Sequence, residues 1–157
     1  MEDKKIEVIY KVFKTSELSN EDARLRRIAI ETAQHAYAPY SKFNVGAVAL
    51  LEDGSYVKGS NQENAAYPSG LCAERVALFS AGANFPDKTV KALAIVALKD
   101  DIIQDFVSPC GGCRQVLLET EQRYGHDIRV LLCGRDETVN ITSAKDLLPL
   151  YFGKTNL

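Results

Sequence analysis

Three cysteines constrain this chain more than anything else in it. One lies in Cys72-Ala73-Glu74-Arg75, and two lie in Pro109-Cys110-Gly111-Gly112-Cys113-Arg114-Gln115. A lone Cys followed by a Cys-x-x-Cys supplies three thiolates. That is the number a catalytic zinc site takes from protein before leaving a fourth position open. A fold that brings Cys72 to the Cys-x-x-Cys must bring the starts of two segments to one point. Glu74, two residues from one ligand, is awkwardly placed as a fourth ligand and well placed to touch a water at the open position. A structural zinc site would need another protein ligand. The fourth cysteine, Cys133, sits in the apolar run Val130-Leu131-Leu132-Cys133, where a core thiol is expected. Two structural disulfides are the other arithmetic possibility, but the first residues do not read as a secretory leader and a Cys-x-x-Cys opening a helix favours metal or redox use.

The rest of the chain reads as helices alternating with apolar strands. Residues 6–13 partly alternate polar and apolar, as an edge strand does. Ser19 can cap a helix to about Ala38, with Leu25, Ile28, Ala29, Thr32, Ala33 and Ala36 on one face and Pro39 as its stop. Val45–Leu51 is a continuous apolar run, turned by Asp53-Gly54 into a strand near Tyr56–Gly59. After a polar loop, Cys72 opens a helix to about Ala83 whose residues are apolar nearly all round, so a buried helix is expected. Val90–Leu98 is another buried strand. The second cysteine helix runs from about Gly111 to Tyr124 and is closed by Gly125. Ile128–Cys133 should lie parallel to the strand before it, Thr138–Ile141 is a last short strand, and Ser143 caps a final helix through Leu148. This implies an α/β layered domain around one mostly buried sheet, with both cysteine helices presenting their N-terminal ends to one point.

At 157 residues and 46% hydrophobic, the chain holds one real core and not two comfortable ones. We read residues 1–20 as an extension with a possible edge strand and 21–157 as a single catalytic domain. The net charge is −2, Trp is absent, and Lys and Arg are scattered, so the footprint of a nucleic-acid binder is missing and a small substrate is favoured. Nothing reaches the length of a membrane-spanning helix, and a cytoplasmic location is expected.

Cys110 and Cys113 are three apart, so in a first helical turn their sulfurs share a face. A helix N-terminus favours the thiolate form that a metal needs. Zn²⁺ with three thiolates carries a net −1, which blunts the ion as a Lewis acid. Nearby positive charge would answer this, and Arg75 is the candidate, hydrogen-bonded to a ligand sulfur.

Cys-Ala-Glu followed by Pro-Cys-x-x-Cys resembles the signature of the zinc-dependent cytidine deaminases in their small-subunit, three-cysteine form. The resemblance runs from about residue 21 to 153. It implies a three-layer α/β/α fold with a mixed, mostly buried five-stranded sheet, and zinc held by Cys72, Cys110 and Cys113. It also implies hydrolytic deamination of cytidine and deoxycytidine in pyrimidine salvage. Glu74 would take a proton from the water that attacks C4, then deliver protons to N3 and the departing amine. In the segment Asn61-Gln62-Glu63-Asn64, similar to the family's ribose-binding loop, Asn61 and Glu63 would hold the sugar hydroxyls. Phe43 would lie against the base, and Ala73 and Tyr67 would help seat base and sugar. Phe152 would reach a neighbouring subunit's site in a homotetramer. The enzymatic alternative is a deaminase of a cytosine-nucleoside antibiotic such as blasticidin S, whose loop lacks the Asn-x-Glu-Asn sequence. A deoxycytidylate deaminase should have His as first ligand. The non-enzyme alternative is a structural zinc scaffold, against which Glu74 speaks.

Overall fold

A computed structural model describes residues 1–157. The strands are β1 (Tyr10–Lys14), β2 (Phe43–Leu51), β3 (Tyr56–Ser60), β4 (Val90–Lys99), β5 (Ile102–Ile103), β6 (Arg129–Cys133) and β7 (Glu137–Ile141). The helices are α1 (Asn20–Ala33), α2 (Ala73–Asn84) and α3 (Gly111–Tyr124). The sheet runs β1-β7-β6-β4-β2-β3, with β5 a short hairpin partner of β4. Only β4 and β6 are parallel, because α3 connects them; every other pair is antiparallel. Five of these strands are the five expected, and β1 and β5 bring the sheet to seven. No helix is long and apolar enough to cross a membrane.

Strand alternation divides the core into two layers. From β4, Ala92, Ala94, Val96 and Leu98 face α1 and pack with Leu25, Ile28, Ala29 and Ala33. Leu93 and Ile95 point the other way, toward Ala73, Ala77 and Leu78 of α2 and Leu117 of α3. The β2 and β4 runs are unbroken because the sheet is covered on both sides. The layers come close where side chains are smallest. A Cβ on Gly46 would lie 2.1 Å from the Ala29 carbonyl oxygen of α1, and one on Gly59 would lie 2.4 Å from the Ala73 carbonyl oxygen of α2.

Two expected elements change for non-local reasons, and one expected burial is only half met. Helix α1 is capped by Ser19 Oγ, which accepts from Asp22 N at 3.1 Å, but it ends at Ala33 rather than Ala38. Beyond it, Tyr37 N donates to Asn61 O (3.0 Å) and Glu63 N donates to Tyr37 O (2.8 Å), so the chain leaves the helix to pair with the Asn61–Glu63 loop. The expected last helix is a single 3₁₀ turn, Ala144–Leu147, and Ser143 does not cap it. The Ser143 hydroxyl instead donates to the buried carboxylate of Glu121, which also accepts from the backbone N–H groups of Ile128, Ala144 and Lys145 at 2.7, 2.7 and 3.1 Å. Helix α2 is buried on one face only. Phe79 is half exposed, and an apolar groove of about 360 Å³ runs between α2 and α3 past Ala83, Val116 and Tyr124.

Glu121 joins α3 to the chain on either side of β6 and β7, and a neutral amide there keeps one acceptor oxygen where the carboxylate had two. Glu121→Gln is expected to lower stability by about 1–2 kcal/mol, with zinc binding retained. Chemical denaturation checks it, and an unchanged midpoint would refute the role.

Candidate metal centre and substrate cavity

Cys72 is the N-cap residue of α2, Cys110 is the N-cap residue of α3, and Cys113 lies in the first turn of α3. Both helix starts therefore meet at one point, and their positive ends point at the sulfurs. The Cys72 and Cys110 sulfurs are 3.8 Å apart, those of Cys110 and Cys113 3.5 Å, and all three lie within 4.8 Å of one another. Tetrahedral Zn–S bonds of about 2.3 Å place sulfurs roughly 3.8 Å apart, so the donor set fits a zinc ion. Cys133 is elsewhere, buried in the core under α1, where its surroundings push the thiol up to about 12. It does not complete a four-ligand structural site.

The cluster is graded in polarity. Burial drives the Cys113 thiol far above its usual range, and the neighbouring Glu74 carboxylate adds to this. Burial also raises Cys110, but the Cys113 backbone N–H and the adjoining thiols outweigh it and bring Cys110 down. A dication among the three sulfurs reverses this balance by favouring thiolate. Glu74 is 5% exposed, and burial raises its carboxyl above the usual carboxylate range against weaker opposing contacts from its own backbone N–H, Cys113 and Arg75. A carboxyl raised this way, beside a metal position, is suited to take up a proton and give it back.

Of the two arginines near the ligands, only Arg75 turns to sulfur. Its Nη2 donates to Cys72 Sγ at 3.6 Å. Arg114 donates instead to the carbonyls of Pro109 and Leu147, both at 2.9 Å, bracing the loop that delivers Cys110. The Nε of Arg75 is buried without a partner, an unsettled donor at the margin of the site. Arg75→Gln is expected to keep zinc content and the fold while lowering turnover about 10- to 100-fold. Metal analysis beside kinetics tests this; unaltered turnover would exclude the role.

In front of the sulfurs opens a cavity of about 930 Å³. Phe43, Asn61, Glu63, Tyr67, Ala73, Glu74 and Arg75 all line it, with Cys72 at its base. Phe152 does not: it is exposed, with its carbonyl accepting from Gln115 Nε2 at 2.9 Å. Tyr40, Val107 and Ser108 also line the cavity, and their only sequence signal is adjacency to the Ser41–Phe43 and Pro109-Cys110 segments.

Asn61 and Glu63 have a structural task that the sequence did not disclose. The Asn61 side chain accepts from Val45 N (2.7 Å) and donates to Phe43 O (3.0 Å), fastening the start of β2 to the loop. Each end of the amide keeps one further hydrogen-bonding position for a ligand. Glu63 Oε2 accepts from the backbone of Tyr40 (2.9 Å) and Ser41 (3.2 Å), and hydrogen bonding with Ser41 is the largest cause holding its carboxyl below the usual range. The pair thus sets the position of Phe43 as well as facing the cavity.

Residues 19–124 match the family model described as the cytidine and deoxycytidylate deaminase zinc-binding region. The cytidine deaminase of Halalkalibacterium halodurans is 41% identical over 124 residues, covering 79% of this chain and 88% of that protein. The Mycobacterium tuberculosis cytidine deaminase is 40% identical over 139 residues, covering 85% and 90%. Among solved structures, the cytidine deaminase of Burkholderia pseudomallei superposes with a TM-score of 0.72 at 38% identity, covering 86% of this chain and 100% of that one. With three sulfurs at zinc spacing, a buried carboxyl beside them and a cavity in front, this chain belongs to the cytidine deaminase family.

Proposed function

We propose that this protein hydrolyses cytidine and deoxycytidine to uridine and deoxyuridine with release of ammonia. The observation that carries the reading is the buried Glu74 carboxyl, set beside three converging sulfurs and lining, with Cys72, a cavity large enough for a nucleoside. Zinc held by Cys72, Cys110 and Cys113 would supply Lewis acidity toward a water oxygen. Glu74 takes a proton from that water as its oxygen adds to C4 of the pyrimidine and passes it to N3, then takes the second proton from the hydroxyl now on C4 and delivers it to the amine as the C4–N4 bond breaks and C4=O forms. The oxygen stays on C4 and the carboxylate returns to its starting state. Phe43 lies against the base, Ala73 and Tyr67 bound its edge and the sugar, and Asn61 with Glu63 receives the sugar hydroxyls. Arg75 withdraws charge from the Cys72 sulfur.

Residues 21–157 act as one catalytic domain and 1–20 as its extension. The working form is a cytoplasmic homotetramer in which Phe152 closes a neighbour's cavity. The exposure of Phe79 and Phe152 and the apolar groove between α2 and α3 support association through these faces. No basic stripe accompanies the cavity, which supports a free nucleoside over a polynucleotide.

Loss of the cytosine absorbance band on adding zinc-loaded protein tests the reading, with deoxycytidine, deoxycytidylate and blasticidin S in parallel. Conversion of both nucleosides and neither other compound is expected. Conversion of blasticidin S alone would replace the reading with the antibiotic one, and no ammonia from any of the four would refute it.

A further inference from the structure

Strand β1 is the outermost strand of the sheet, pairing with β7 from Tyr10↔Ile141 to Lys14↔Glu137 and with nothing on its other side. It lies outside the residues matched to the family model. Directly opposed residues of an antiparallel pair share a face, so Tyr10 and Val12 lie on the same side as Ile141 and Val139, which are core residues beneath α2 and α3. The helices do not extend that far. Tyr10 and Val12 are 57% and 49% exposed, and Ile6 and Val8, two and one alternations upstream, are 55% and 42% exposed. An open edge beside an apolar stripe is a template for another strand.

We propose that two copies of this chain exchange N-terminal arms: residues 5–9 of each lie antiparallel along the outer edge of the other's β1, about a two-fold axis at Ile9. The charges select the occupant and the register. With Ile9 on the axis, Glu7 of each copy faces Lys11 of the other, Ile6 faces Val12, and Val8 faces Tyr10. The apolar stripes of the two copies join into one, and each Lys5 stem lies beside a Phe13 ring. Shifting the axis to residue 8 sets Lys5 against Lys11, and shifting it to residue 11 sets Lys11 against its own copy. An axis at residue 10 loses both Glu7–Lys11 pairs. A one-residue slip sets an apolar face against a charged one. Lys4 would meet Lys14, which ends the ladder at Lys5. The contact is isologous, as a closed dimer requires, and the lysines that guard this edge against other strands are matched only by this one. In the single chain Glu7 is spent on exposed Lys5 nearby.

The contact is independent of the deaminase reading, since no residue of it lines the cavity. Ile9→Cys places the new thiols of two chains opposite one another. Mild oxidation of the zinc-loaded full chain should give a disulfide-linked dimer on a non-reducing gel, above the background of the unsubstituted chain. Adding Glu7→Lys should slow the cross-link about tenfold, because two attractive pairs become repulsive, and adding Lys11→Glu to that variant should restore it. An Ile9→Cys chain that stays monomeric on the gel, or cross-links equally well with Glu7→Lys, or is not restored by the charge swap, would overturn the proposal. Ammonia release is expected to be unchanged throughout, which confirms that each variant is folded.

Discussion

Glu74→Gln is expected to abolish turnover, by about 10³-fold or more, while the protein still binds zinc and keeps its thermal midpoint within a few degrees. Glutamine has nearly the volume of glutamate, so the packing of a side chain that is 5% exposed survives. The three sulfurs are untouched, because Glu74 is not among the cluster that could hold the ion. What the amide lacks is a basic oxygen that can take up a proton and return it. The reaction needs one group to carry two protons in turn from the attacking oxygen, first to N3 and then to the leaving amine, and the cavity is lined by only one further carboxylate and by no imidazole. The second carboxylate in the cavity, Glu63, is occupied with the Tyr40 and Ser41 backbone. Single-turnover kinetics with cytidine, beside metal analysis of the same sample, decides the matter. A zinc-loaded Gln variant within tenfold of the unsubstituted protein would remove Glu74 from the chemistry.

How much of this was legible in the sequence depends on how local the determinant is. The metal helices were legible nearly to the residue, since Cys110 and Cys113 sit where a first turn puts them and Gly125 adopts φ +63° to close α3. The buried strands were legible because an apolar run flanked by turns has few alternatives. What failed depended on partners far along the chain. Helix α1 stops at Ala33 because Tyr37 is claimed by Asn61 and Glu63, and nothing within the helix announces that. The final turn is 3₁₀ because Glu121 in α3 takes up Ser143 and the N–H groups beside it. The edge strand, expected over residues 6–13, is held only over Tyr10–Lys14, the length that β7 can pair. Within the site, the metal-facing residues were legible as a motif, whereas the fastening of Phe43 by Asn61 needed coordinates. Beyond the β2–β3 hairpin and the parallel run of β4 and β6, the strand order was not read from the sequence.

Gly59→Ala is expected to cost about 3 kcal/mol of stability and to reduce turnover about 100-fold in what remains folded, though residue 59 touches neither metal nor substrate. The added Cβ would lie 2.4 Å from both the Ala73 carbonyl oxygen and the Ala77 nitrogen. These are backbone atoms of one helix, so no side chain can rotate away, and ordinary contact needs about 1 Å more. Overpacking of this kind typically costs 1–3 kcal/mol, and the backbone character of both contacts puts Gly59 at the upper end. For a chain of this size that lowers the thermal midpoint by roughly 6–12 °C. The functional loss follows from which element must move. The helix displaced is α2, and its first turn carries Cys72, Glu74 and Arg75, while Cys110 and Cys113 stay with α3. A shift of 1 Å between the two helix starts spreads the sulfurs and misplaces the proton-transferring carboxyl, and misplacement on that scale is worth about 10²-fold. Gly46, packed as tightly against Ala29 and Ala33 of α1, provides the comparison. Gly46→Ala should lower stability at least as much, with a smaller loss of turnover per folded molecule, because α1 carries no residue of the metal cluster. Thermal denaturation and kinetics on both variants separate the two effects, and equal turnover per folded molecule in both would mean that the seat of α2 on β3 does not set the geometry of the site.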